Sequence, residues 1–163
     1  QALRLLVETA LARVELNTIT YNAAVSACEK GDQWAKALRL LVDMVSARVE
    51  LDTITYNTAV SACEKGRQWS TALRVLVEMA SARVQLNTIT YSAAVSACAK
   101  GSQWATALGF LVQMVSTRVE LDTITYSAAV SACEKGGQWD QALWILVEMA
   151  SEQVELNTIT YNA

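Results

Sequence analysis

Three kinds of side chain in this sequence could do chemistry, and each returns at one interval. Cys28, Cys63, Cys98 and Cys133 stand 35 residues apart, as do Lys30, Lys65, Lys100 and Lys135, and Trp34, Trp69, Trp104 and Trp139. Cysteines can hold zinc, but a zinc site needs clustered Cys or His ligands. This chain has no Cys-x-x-Cys pair and no histidine, so no metal is expected. Units of a helical stack lie about 10 Å apart, beyond the Cα reach of a disulfide. The cysteines are therefore expected to be small buried hydrophobes, reduced, in a reducing compartment. Without histidine the commonest general base is also missing. No carboxylate pair, glycine-rich phosphate loop or nucleophile–base set recurs at a useful spacing. The sequence predicts neither an enzyme nor a cofactor.

The elements that position these residues form a repeat. Thr-Ile-Thr-Tyr begins at Thr18, Thr53, Thr88, Thr123 and Thr158, so complete units span 18–52, 53–87, 88–122 and 123–157. Residues 1–17 match the second half of a unit, and 158–163 open a further one. Within a unit, Tyr21, Ala24, Val25 and Cys28 follow the spacing of one helix face. Asn17 or Asp52 stands where a side chain caps free N–H groups, and Gly31 supplies a stop. A second helix is predicted from Trp34 through Ala37, Leu38, Leu41, Val42 and Met44, ending around Ser46 to Arg48. The fold expected is all-α: an α-α superhelical solenoid of helix-turn-helix units, each burying its neighbour's apolar face. Of the 35 columns of the repeat, 21 hold one residue in all four units. The apolar ones among them read as packing columns, the tryptophans filling the seams. Trp144, outside the tryptophan column, reads as a local surface or seam variant.

Composition agrees with a packed helical array. The 163 residues are 53% hydrophobic and 18% charged, with six glycines and no proline. Disorder needs fewer apolar residues and more net charge. Apolar runs such as 142–147 are far shorter than the roughly 20 residues that span a bilayer. No transmembrane segment, signal peptide or transit peptide is evident. The chain starts at Gln1 and stops within a unit, and reads as a segment of a longer one.

The units resemble those of the pentatricopeptide-repeat family over the whole chain. The first complete unit reads Thr-Ile-Thr-Tyr-Asn-Ala-Ala-Val, with Lys30, Ala37-Leu38, Met44 and Leu51-Asp52 at the family's positions. Tetratricopeptide repeats differ in length and in their tryptophan and proline pattern. Two departures stand out. Leu16, Leu51, Leu86, Leu121 and Leu156 replace the family's closing proline, and Arg48 or Gln153 replaces a loop glycine.

The resemblance implies a function: single-stranded RNA bound one base per repeat, in a plastid or mitochondrion. It implies base-edge reading by the fifth residues, Asn22, Asn57, Ser92 and Ser127, paired with the last residues, Asp52, Asn87, Asp122 and Asn157. It implies wedging against base faces by Ile19, Ile54, Ile89 and Ile124, and phosphate contact by Lys30, Lys65, Lys100 and Lys135. The family's pairing habits then imply U, C or U, G, and A along the four units. Short amides and hydroxyls offer the donors and acceptors such reading needs. The last column would equally serve as a helix cap, and lysine at a helix C-terminus suits the helix dipole.

Charge argues the other way. The net charge is −3, and the units carry −1, +2, 0 and −4 in order, with Glu29, Glu64 and Glu134 beside the lysines. Phosphate neutralisation supplies most nucleic-acid affinity, so weak binding is expected of this segment. The alternative is a protein-binding scaffold or structural subunit of a large organellar assembly, of ribosome or photosystem type.

Overall fold

The computed structural model describes residues 17–151. They form four helix pairs: α1 (Thr18–Lys30) with α2 (Trp34–Ser46), α3 (Thr53–Lys65) with α4 (Trp69–Ser81), α5 (Thr88–Lys100) with α6 (Trp104–Thr117), and α7 (Thr123–Lys135) with α8 (Trp139–Ser151). Among the described residues there are no strands. Each first helix packs on its own partner and on the first helix of the next unit, and each second helix packs on the following first helix. This is the expected all-α solenoid. The partial helix expected in residues 1–17 and the new unit at 158–163 lie outside the described residues, apart from Asn17.

Local chemistry explains the boundaries. The side chains of Asn17, Asp52, Asn87 and Asp122 accept from the backbone N–H groups of Thr20, Thr55, Thr90 and Thr125, each satisfying one orphan donor of a first turn. The first helices stop with a bond from Gln33 N–H to the Cys28 carbonyl, 2.8 Å, and its repeats at Gln68, Gln103 and Gln138. The left-handed residue that permits this turn is Asp32, Arg67, Ser102 or Gly137, one place after the invariant glycine. That glycine keeps a negative φ: −95° at Gly31 and −72° at Gly66. Its use is therefore close approach. A Cβ at Gly66, Gly101 or Gly136 would overlap the indole of Trp34, Trp69 or Trp104 from the preceding unit. The stop expected of Gly31 thus belongs to the next residue, and the glycine column makes room for the tryptophan column.

The core is a continuous row. Tyr56, Ala59, Val60 and Cys63 of α3 are buried, as are Ala72, Leu76 and Met79 of α4, and the same columns recur in the other units. Packing does not account for every invariant apolar column. Val42, Val77, Val112 and Val147 are 64–68% exposed, because the second helices bury only the faces turned to two first helices. Trp139 is 68% exposed, and Trp144 is a surface residue. The left-handed Arg48, Arg83 and Arg118 end the second helices at the positions where the sequence departs from a glycine.

Candidate functional site

The first and third residues of each unit lie on the first turn of a first helix, and the fifth lies one turn further on. Ile19, Ile54, Ile89 and Ile124, between them, are 63–77% exposed. They are β-branched residues held out to solvent by a capped helix start.

Thirty residues apart in sequence, the fifth and last residues of a unit meet. Asn22 Nδ2 donates to Asp52 Oδ1 at 3.1 Å and to Oδ2 at 3.2 Å. Asn57 Nδ2 donates to Asn87 Oδ1 at 3.3 Å, and Ser92 Oγ donates to Asp122 Oδ1 at 3.3 Å. The last residue thus caps the next helix and touches the fifth residue of its own unit. Ser127 is half-buried, and Asn157, its expected counterpart, lies outside the described residues. Ser92 is buried, whereas Asn22 and Asn57 are half-buried.

A third residue joins each pair, which the sequence reading passed over. Thr55, Thr90 and Thr125, the third residues of the following units, are fully buried. Thr55 Oγ1 lies 2.5 Å from Asn22 Oδ1 and Thr90 Oγ1 lies 2.5 Å from Asn57 Oδ1. Thr125 Oγ1 and Ser92 Oγ are likewise 2.5 Å apart. The signal available in the sequence was a polar residue kept in all four units beside the buried tyrosine.

Burial pushes the Asp52 carboxyl up, but hydrogen bonds from Thr55 and Asn22 together outweigh it and hold the group below the usual aspartate range. Asp52 therefore stays ionised at neutral pH and acts as an acceptor only.

The lysines end the first helices and are exposed. Lys65 Nζ lies 2.5 Å from Glu29 Oε1, and Lys100 Nζ lies 2.5 Å from Glu64 Oε1. Each pair crosses a seam between units, and Ser61 Oγ also donates to Glu29 at 3.1 Å. The glutamate column holds Ala99 in the third unit, so Lys135 receives no such carboxylate. The cysteines are buried and free. Burial raises their thiols, Cys63 and Cys98 to about 11, which leaves them protonated and poor nucleophiles. Among the described residues no group of Cys, Asp or Glu is placed to hold a metal ion, and no helix is long and apolar enough to cross a membrane.

The chain matches the family model described as the pentacotripeptide-repeat region of PRORP over residues 12–163. A comparison with curated protein sequences gave no match. Among solved structures, the PPR domain of Arabidopsis thaliana protein-only RNase P 1, in complex with tRNA, superposes with a TM-score of 0.85 at 16% identity. That match covers 99% of this chain and 85% of the other. The pentatricopeptide repeat protein PPR10 in complex with an 18-nt psaJ RNA element gives a TM-score of 0.85 at 25% identity, over 99% of this chain and 24% of that one. A further structure of PPR10 from maize gives 0.73 at 26% identity, over 98% of this chain and 23% of that one. The chain thus spans about a quarter of PPR10. With the family model matching nearly its whole length and the helix pairs superposing on two such arrays, the chain belongs to the pentatricopeptide-repeat family.

Proposed function

We propose that this chain is a non-enzymatic module that binds single-stranded RNA along its row of first helices, one base to a unit. The observation that carries this reading is the pairing of fifth and last residues, 30 positions apart, beside an exposed isoleucine in unit after unit. Each pair leaves hydrogen-bonding valences unspent. Asp52 can accept further bonds, while the Asn87 amide nitrogen can donate. An acceptor suits the N3–H of uracil, and a donor suits the N3 of cytosine. The isoleucines offer an apolar surface for the base face. Lys135, opposite Ala99, is better placed to meet phosphate than Lys65 and Lys100, which already face carboxylates. Support from relatives is that PPR10 and the PPR domain of protein-only RNase P 1 were each solved with RNA. On the family likeness we place the chain in a plastid or mitochondrion, which fractionation of cells expressing it would check.

The test is selection from a randomised single-stranded RNA pool by the full chain at low ionic strength. The expected register is U, C or U, G, and A. Asn57→Ser should move the second unit's preference from pyrimidine toward adenine, a wrong base costing about 1–3 kcal/mol by analogy with base-edge readout in duplex DNA. A pool returned without preference, and unmoved by Asn57→Ser, would sink base reading.

A scaffold for protein partners is the second reading, and it draws on another surface. The exposed valine column of the second helices adjoins an apolar groove of about 360 Å³ lined by Leu111, Val112, Val115 and Trp144. Loss of a co-purifying protein on Val77→Asp and Val112→Asp, with RNA binding intact, would favour it.

A further inference from the structure

We propose that Thr55, Thr90 and Thr125 are positioning residues for base discrimination, each fixing the hydrogen-bonding polarity of the base-reading residue in the preceding unit. The inference rests on the RNA-binding reading and adds to it a part of the site that lies in the next repeat. At the second seam, Asn87 Oδ1 accepts from Thr90 N–H at 3.0 Å and must remain the acceptor of the helix cap. Asn57 therefore turns its Nδ2 toward Asn87, which leaves its Oδ1 facing the buried Thr90 hydroxyl. That hydroxyl has one proton. Asn87 Oδ1, at 2.9 Å from Thr90 Oγ1, already has two N–H donors, whereas Asn57 Oδ1 has no other donor among the described residues. The Thr90 hydroxyl therefore donates to Asn57 Oδ1.

The first seam follows the same logic with Asn22, Asp52 and Thr55. Flipping the Asn22 amide would set its oxygen against an ionised carboxylate. At the third seam Thr125 and Ser92 share a short hydroxyl contact, with Asp122 accepting from Ser92. Helix capping alone does not account for the threonine. The reciprocal bond from the cap N–H to the threonine hydroxyl is present at Asp52 and Asn87, but the bond to the preceding unit occurs at all three seams. With its polarity fixed, the asparagine offers a base one amide proton and one oxygen lone pair at settled places. Without the threonine hydroxyl the asparagine oxygen loses its donor, and the cap residue alone is left to orient the amide.

The experiment compares wild type, Thr90→Val and Thr90→Ser in the full chain, reading affinity for RNAs that differ only at the base opposite the second unit. Valine keeps the shape and removes the hydroxyl, and serine keeps the hydroxyl. Thr90→Val should lower discrimination at that base about five- to tenfold, within the worth of one base-edge contact. Discrimination at the flanking bases should be unchanged, and Thr90→Ser should retain the wild-type preference. Thr90→Val that folds and discriminates like wild type overturns the inference while leaving RNA reading intact. A wild type with no discrimination removes the reading and the inference together. Should Thr90→Val not fold, Thr90→Ala read in the same way decides: lowered discrimination at the second base upholds the inference, and wild-type discrimination overturns it.

Discussion

The seam between the second and third units and the seam between the third and fourth are built on one frame and finished differently. In both, a tryptophan lies where a glycine's Cβ would be, Trp69 over Gly101 and Trp104 over Gly136. In both, adjacent first helices pack along their length, α3 on α5 and α5 on α7. Yet the earlier seam has an ion pair, Glu64 with Lys100. The later one has Ala99, 5% exposed, opposite Lys135. The readers differ too: two asparagines at the earlier seam, a serine and an aspartate at the later. The stacking columns hold the geometry, so charge and hydrogen-bonding chemistry can change without moving the helices.

The largest effect should come from attacking the shared frame. Trp69→Ala and Trp104→Ala should each cost about 3 kcal/mol in urea denaturation, the usual loss for a packed aromatic, and the two losses should agree within about 0.5 kcal/mol if the seams are equivalent. Trp139→Ala, at an exposed tryptophan, should cost less than about 0.5 kcal/mol. A clear difference between Trp69 and Trp104 would break the comparison.

Two glycines of the third unit should then respond with opposite sign. Gly101→Ala forces a methyl into the Trp69 ring and should destabilise by about 1–3 kcal/mol. Gly109→Ala adds a methyl in open space inside α6 and should stabilise by about 0.5–1 kcal/mol. Thermal melts of the two variants suffice. Stabilisation by Gly101→Ala would mean that the tryptophan does not occupy the seam.

The smallest effect is a charge exchange, read in RNA binding. Ala99→Glu places a carboxylate opposite Lys135, in a column that accommodates glutamate elsewhere. It should lower the salt slope by about 0.7, one single-strand phosphate contact. Glu64→Ala frees Lys100 and should raise the slope by about the same amount. Titrations across a series of salt concentrations check both. Equal slopes in the two variants would show that these lysines do not meet phosphate.

Much of this was legible in the sequence because it is local or periodic. The helix limits at Thr18 and Lys30 follow from a cap and a left-handed turn a few residues away. Burial of the tyrosine, alanine and cysteine columns follows from their helical spacing. What escaped reading crosses from one unit to the next. Lys65 meets Glu29 and Thr55 meets Asn22 across more than thirty residues, and no local pattern marks such contacts. The exposed valine column misleads for a related reason. Its spacing suits a buried face, but whether a face is buried depends on which neighbours a solenoid supplies. The glycine column looked like a backbone signal, while its constraint comes from the tryptophan of another unit.

The cluster of asparagine, cap residue and threonine bears on how such arrays can grow or be recombined. Its members belong to two consecutive units, so no unit cut out at its sequence boundary has a complete reader. Excising residues 53–87 would join Asp52 to Thr88, yet Thr90 would then take the place of Thr55 beside Asn22, because the period is unchanged. Any duplication or deletion of one whole period, wherever its breakpoints fall, therefore rebuilds a full cluster at the new junction. A change of length that is not a whole number of periods would leave an amide and a hydroxyl buried without each other, at a cost of about 1–3 kcal/mol for each unsatisfied group. That penalty alone favours copies that preserve the period.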